Sequence, residues 1–402
     1  MGRKEKVTLA ALCAGHFVSD SYSSVIYPLL PLIKFKLKLS DPQIFALAPL
    51  YAVSSSLMQP LYGIISDRYA RKLFAVFSLT VTAVFTSLIG LAPSYAVLMS
   101  VLMLAGIGIG SFHPQGAAMA ATAAGDRRRV GMAMFSAFGT LGFAVGPLII
   151  TRVVATVGLE RSYYIAVLGV LMTVVLFKFC PPLPRYSPRA QGSGDTRPRF
   201  ASALRAVWKP LTLLYVITVI RSGLQVTTNN YLPFVLHDQG YTLTETGNVL
   251  TVFLLMGGLG GLAGGLIAER FSGRAVTLYS GLLAGPLMMG AFTATGPLRI
   301  VLLGLGGFVL LSTLPVIVAM AQELVPGQTS TVSALMMGAA WGIGALSPTL
   351  LDHFVPAYGF RKVLIFASAF TLVAGVLAYF LPREEHARRV VRSDLAAAAA
   401  GD

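Results

Sequence analysis

The strongest constraint on this chain is a rhythm of apolar windows, each close to the roughly 20 residues a helix needs to cross the hydrocarbon core of a bilayer. Bounded by charges or turn residues, these windows run over 7–33, 43–66, 73–91, 95–122, 130–154, 162–179, 209–236, 246–268, 275–294, 298–322, 330–354 and 361–381. With a mean hydropathy of +0.74, 55% hydrophobic residues and 12% charged ones, the chain is far more apolar than one soluble core could use. An all-α integral membrane protein with 12 transmembrane helices is the fold class that follows. The first window comes after Arg3, Lys4 and Lys6, as in a signal peptide. Its apolar run is too long for one and has no small-residue cleavage site, so it is read as a retained first helix.

A net charge of +15 raises the question of nucleic acid. The placement of the cations answers it. With the N-terminus in the cytoplasm, 22 of the 31 Lys and Arg residues fall at or beside cytoplasmic helix ends, as in Arg127, Arg128 and Arg129 or in the seven between Lys178 and Lys209. Eight fall on the other side and one, Arg221, lies inside a window. This is the positive-inside asymmetry, which predicts a multi-pass membrane protein with both termini cytoplasmic and excludes nucleic acid as the partner. Cys13 and Cys180 sit toward the cytoplasmic side, where no disulfide is expected.

The stretch "PPLPRYSPRAQGSGDTRPRF", residues 181–200, reads as a flexible linker and divides the windows six and six. The domain reading is a six-helix bundle over 1–179, a cytoplasmic linker over 180–208, a second bundle over 209–382 and a tail over 383–402. The halves repeat. "GIISDRYARK" returns as "GLIAERFSGR", with Gly63, Asp67 and Arg68 matching Gly265, Glu269 and Arg270 at an offset of 202; Pro114 matches Pro315 and Pro147 matches Pro348 at 201. Six helices between copies keep both halves in the same orientation, so the repeats are parallel about an axis along the membrane normal. Major facilitator transporters have that arrangement.

The first copy, with Gly63, Asp67, Arg68 and Arg71, closely resembles the facilitator signature between the second and third helices. Gly63 would permit close helix approach, and Asp67 would accept charge-assisted hydrogen bonds as a cytoplasmic latch; the competing reading is a plain positive-inside loop. Glu269 and Arg270 carry the same gating expectation in the second copy. In the fifth window, Gly142, Gly146 and Pro147 resemble the motif associated with facilitator antiporters, and ordinary helix packing by small residues explains them as well.

Ionisable groups inside the windows carry the functional reading. Asp20 in the first and Arg221 in the seventh are separated by 201, the repeat offset, and so hold equivalent positions with opposite charge. A lone charge at such depth costs about 3 kcal/mol on insertion scales, so each needs a partner or water. One reading is a permanent ion pair. The other gives Arg221 an anionic substrate group and Asp20 a proton, coupled through their mutual attraction. His16, one turn before Asp20 on the same face, is either a proton relay or a hydrogen-bonded helix histidine. His113, directly before Pro114, is either a substrate or proton residue or part of a helix kink. Gln225 and Asn229 continue the Arg221 face at steps of four and read as substrate-cavity residues, with Gln59 beside Pro60 a weaker candidate. Glu323 reads as a gate or capping residue.

No phosphate loop, metal-ligand cluster or nucleophile elbow occurs in the sequence. The expectation is therefore a non-enzyme without metal or cofactor, driven by an ion or substrate gradient.

"GHFVSDSYSSVIYPLLPLI", "SSLMQPLYGIISDRY", "GIGSFHPQGAAMAA" and "AQELVPGQTSTVSALMMGAAWGIGAL" resemble the fosmidomycin resistance protein family of major facilitator exporters, over most of both halves. The resemblance implies a proton-coupled efflux pump of the bacterial inner membrane whose namesake substrate is a small phosphonate, with His16, Asp20, His113 and Glu323 on shared positions. Ser19, Gln115 and Arg221 depart from it, standing where Asn, an acid and Lys are common. The functional expectation is a monomeric antiporter exporting a small anionic or zwitterionic compound for protons. An uptake symporter for an organic anion is the alternative, and a non-transporting receptor or scaffold a more distant one.

Overall fold

The computed structural model describes residues 2–62, 65, 71–181, 200–325, 332 and 334–382, and among these every regular element is helical. Nine helical runs are each long and apolar enough to cross a membrane. The first, third and eleventh windows are covered by helices that are interrupted or shorter.

The reasons are local. In the first window, α1 (Arg3–Ser24) stops at Val25 and α2 (Ile26–Leu37) continues beyond it, because Pro28 has no N–H for the carbonyl four residues earlier. In the second, α3 (Asp41–Phe45) and α4 (Leu47–Ala52) run into a π-helical turn at Val53–Leu57 ahead of Pro60. The third is α5 (Arg71–Ser87), with apolar length Ala75–Leu91. Three long helices follow within the first half: α6 (Tyr95–Ala124), α7 (Arg128–Val157) and, after a 3-10 segment, α8 (Ala166–Phe179).

The second half begins with α9 (Phe200–Asp238), which kinks at Val207, and continues through α10 (Leu243–Arg270), α11 (Gly273–Thr293), α12 (Gly296–Leu311) and α13 (Thr313–Leu324). The eleventh window is the most broken: a π-helical turn at Ala334–Ala339, α14 (Ala340–Gly344) and α15 (Ser347–Asp352). In α16 (Val355–Tyr379), Gly359 takes φ 75°, a left-handed value that suits glycine and marks where the twelfth window starts.

By contact the chain forms two units, one of Met1–Tyr186, Thr227–Leu255 and Pro348–Arg361, the other of Ser187–Val226, Met256–Ser347 and Lys362–Asp402. In the first unit α1 lies against α7 at the motif glycines. A Cβ at Gly142 would strike the Phe17 carbonyl, and one at Gly146 the Ser21 carbonyl, so bare backbone sets the helix separation there. Second-half segments of this unit pack through aromatic rings: Phe45 meets Tyr231 at 4.6 Å, Phe234 at 5.5 Å and Phe360 at 5.7 Å between centroids. The Thr349 hydroxyl donates to the Phe45 carbonyl at 2.8 Å and the Tyr231 hydroxyl to that of Pro348.

The second unit is centred on Leu211, Leu214 and Ile217 of α9, Ile317 and Ala321 of α13 and Ala374 and Ala378 of α16. Close helix approach in this unit falls just before its copy of the loop motif. Gly265 faces open space, whereas Gly260 and Gly264 press against the carbonyls of Phe308 and Ser312, so a small-x-x-x-small pair one register earlier makes the close approach. Exposed Leu171, Val174, Leu262, Leu266, Phe366 and Val376 give both units apolar outer faces suited to lipid.

Candidate functional site

The apolar run of α1 is interrupted at His16, Ser19 and Asp20, and the fold of the first unit gathers partners around that break. His16 Nε2 lies 3.3 Å from Asp20 Oδ2, as spacing of four on one helix face allows. From α6, His113 Nε2 lies 3.0 Å from the other oxygen, Oδ1. The carboxylate is thus bracketed by two imidazoles from different helices. Side-chain exposure is 8% for His16, 15% for Asp20 and 26% for His113.

Each ring is held from behind. His16 Nδ1 is 2.7 Å from the Phe135 carbonyl, and its ring stacks on that of Phe135 at 4.0 Å. His113 Nδ1 is 2.8 Å from the carbonyl of Ile109, four residues back on its own helix. A carbonyl only accepts, so both Nδ1 atoms carry hydrogen and both Nε2 atoms face the carboxylate. One turn beyond Phe135, Gly139 leaves the gap in which the His16–Asp20 contact sits: a Cβ there would come within 2.8 Å of Asp20 Oδ2 and closer still to the His16 ring. Tyr51 completes the surroundings, its phenol within electrostatic reach of Asp20 and beside Ser23 and Tyr27.

The pattern of one-helix spacing made the His16–Asp20 pair readable in sequence. It did not reveal that His113 shares the same carboxylate, nor that Phe135 and Gly139 frame it; the small-residue run from Gly139 through Gly142 to Gly146 was the only available signal. The reactive atoms of the three residues lie within 4.8 Å of one another. No fourth His, Cys, Asp or Glu joins them among the described residues, and three donors are too few to close a structural zinc shell.

In the second unit Arg221 is 3% exposed, and its Nε and Nη2 have no hydrogen-bond partner among the described residues. Nη1 reaches Gln225 Oε1 at 3.5 Å, the outer limit of a hydrogen bond. A buried guanidinium so poorly served is costly to the fold. Asn229, further along α9 and 1% exposed, belongs to the first unit, and neither atom of its side-chain amide has a hydrogen-bond partner among the described residues.

The remaining candidates are dispersed. Gln59 donates its amide to the Ser55 carbonyl of its own segment at 2.9 Å. Glu269 and Arg270 end α10 exposed, and Glu323 is exposed near the end of α13. Gly63, Asp67 and Arg68 lie outside the described residues, as does the side chain of Arg71 at the start of α5. Pro147 sits within α7, where its carbonyl accepts from the Thr151 hydroxyl at 2.8 Å.

Comparison with known proteins agrees with this architecture. A family model described as the Major Facilitator Superfamily matches residues 12–243 and 214–399. An MFS-type transporter of Bacillus subtilis (strain 168), YfnC, is 30% identical over 379 residues, covering 93% of this chain and 92% of its own. The fosmidomycin resistance protein of Escherichia coli (strain K12) is 25% identical, covering 94% and 93%. In structure, a bacterial homolog of the human lysosomal transporter Spinster, inward-facing and unoccupied, superposes with a TM-score of 0.81 at 16% identity, covering 98% of this chain and 99% of that one.

Proposed function

The chain belongs to the Major Facilitator Superfamily of membrane transporters, and from that premise we propose that it is a proton-coupled antiporter exporting a small anionic or zwitterionic compound by alternating access. Arg221, assisted by Gln225, binds the anionic group. Asp20 with His16 binds the proton, and His113, read from sequence as a substrate residue, joins them because its Nε2 faces the same carboxylate. The observation that carries the reading is the contrast at repeat-equivalent positions: a carboxylate with an imidazole nitrogen near each oxygen in one half and a buried guanidinium with two unpartnered nitrogens in the other.

The chemistry follows from what each group lacks. Arg221 keeps its charge at any physiological pH, so its missing partner must be an anion brought to it. The His16–Asp20–His113 cluster changes charge by taking up protons, which alters the field inside a bundle where screening is weak. Substrate bound at Arg221 and protons bound at Asp20 then bias the same conformational equilibrium in opposite senses, as exchange requires. The aromatic contacts around Phe45 serve as one seal of the alternating cycle, and the loop containing Asp67 as a cytoplasmic latch. The segregated Lys and Arg support cytoplasmic termini, and the bacterial relatives support an inner-membrane location. A single chain suffices for this mechanism.

Relatives also include a 3-(3-hydroxy-phenyl)propionate transporter and a probable sulfoacetate transporter, organic acids that an arginine site would suit. Together with fosmidomycin they form a first probe set. In proteoliposomes preloaded with each probe, external acidification is expected to accelerate efflux of at least one while the lumen acidifies. Accumulation of a probe inward along with the protons would make the protein an uptake symporter instead.

A further inference from the structure

We propose that the His16–Asp20–His113 cluster binds two exchangeable protons, one at each Nε2, on the two separate oxygens of one carboxylate. The inference deepens the proton-coupled reading, on which its consequence for transport rests.

It follows from hydrogen-bond accounting. The Nδ1 hydrogens are committed to the carbonyls of Phe135 and Ile109 at 2.7 and 2.8 Å, and neither carbonyl can donate in return. Nε2 is therefore the one exchangeable position on each ring. The two Nε2 atoms face different oxygens, Oδ2 at 3.3 Å and Oδ1 at 3.0 Å. Without a proton between them, each contact sets a nitrogen lone pair against a carboxylate lone pair. One proton relieves one contact, and only two relieve both. The cluster's formal charge thus runs through three values, −1, 0 and +1, and only at the last does a cationic ring stand beside each carboxylate oxygen.

Among the described residues of this unit, no charged group besides the two histidines acts on that carboxylate. From α1 come His16 and Asp20 themselves and from α6 His113, while α7 contributes the uncharged Phe135 and Gly139. The segment around residue 51 contributes a neutral phenol, Tyr51. The two protons are also unequal. The His16 ring is stacked and 8% exposed, whereas His113 is 26% exposed, so the His113 proton exchanges with water first. Transport coupled to such a cluster moves up to two protons per cycle.

The test is 15N-histidine NMR of the full-length protein in lipid nanodiscs, titrated with protons alone so that no substrate has to be known. The chain has five histidines, and His16→Gln and His113→Gln assign the two that matter. Both rings are expected to keep Nδ1–H throughout and both to gain a proton at Nε2 on acidification, with Asp20→Asn uncoupling the two events. If one ring of the pair stays neutral while the other titrates, or if either neutral ring lacks its Nδ1 hydrogen, the proposal falls. Should His16→Gln not fold, His113→Gln still decides, since proton uptake by the cluster drops from two to one. Flux measured in the same preparation keeps the two claims apart. Two titrating rings without proton-driven flux would remove the coupling reading alone, whereas proton-driven flux with a single titrating ring would remove the two-proton site alone.

Discussion

Asp20 and Arg221 occupy corresponding places in the two repeats, yet the protein treats them in opposite ways. Around Asp20 it has assembled His16, His113 and the gap at Gly139; at the positions 201 residues later stand Ile217, Leu314 and Ala340. The aspartate thereby has an imidazole nitrogen 3.3 or 3.0 Å from each oxygen, although Oδ1 makes no hydrogen bond among the described residues, while the arginine is 3% exposed with two of its nitrogens unpartnered. A partnered charge is a component of the folded state. An unpartnered one is a cost to it. The lesson is that a duplicated helix frame can give one position opposite charges and unlike surroundings in its two halves by changing that residue and three neighbours.

That comparison can be broken by mutation, and the largest effect is expected at Arg221. Arg221→Met removes the anion's counter-charge and should weaken probe binding by about 100-fold, the usual scale for truncating one side of a buried charge pair. The same substitution should raise thermal stability, by about 1–3 kcal/mol, because it deletes a buried group with unmet hydrogen bonds. Binding by scintillation proximity and unfolding in detergent check the two signs. A destabilised Arg221→Met would mean that the guanidinium is already partnered.

Next in size is a wedge at the proton cluster. Gly139→Ala puts a methyl group between His16 and Asp20 and is expected to slow uphill flux about 10-fold and shift its pH profile, with the pH shift as the distinguishing readout. Gly142→Ala, one turn on, meets the Phe17 backbone instead. It should cost about 1–3 kcal/mol of stability by overpacking without moving the pH profile of whatever protein remains folded. The smallest effect belongs to Gln225→Leu. Its 3.5 Å contact with Arg221 is marginal, so binding should weaken about threefold and stability change by under about 0.5 kcal/mol.

Much of this frame was readable before any coordinates. Window length and charge asymmetry disclose a membrane bundle, and matching proline and loop positions disclose the repeat, because lipid and duplication act on long stretches of chain. The pairing of His16 with Asp20 was equally readable, since four residues of helix bring them to one face. What stayed hidden depends on tertiary approach. His113 is 93 residues from Asp20 in sequence, and only the packing of α6 beside α1 shows that they share a carboxylate. The close approach at Gly260 and Gly264, just before the second loop motif, likewise depends on how α10 is turned against its neighbour. The breaks at Val25 and through the eleventh window also follow from prolines and local backbone that hydropathy does not register.

The central claim is that Asp20 couples transport to protons while Arg221 binds what is transported. Asp20→Asn keeps the shape of the side chain and removes its charge. In one batch of proteoliposomes, uphill flux driven by a proton gradient and downhill exchange of the same probe are measured for this variant and the wild type. The account predicts that uphill flux disappears while exchange persists within about threefold of wild type. Uphill flux at the wild-type rate would contradict it.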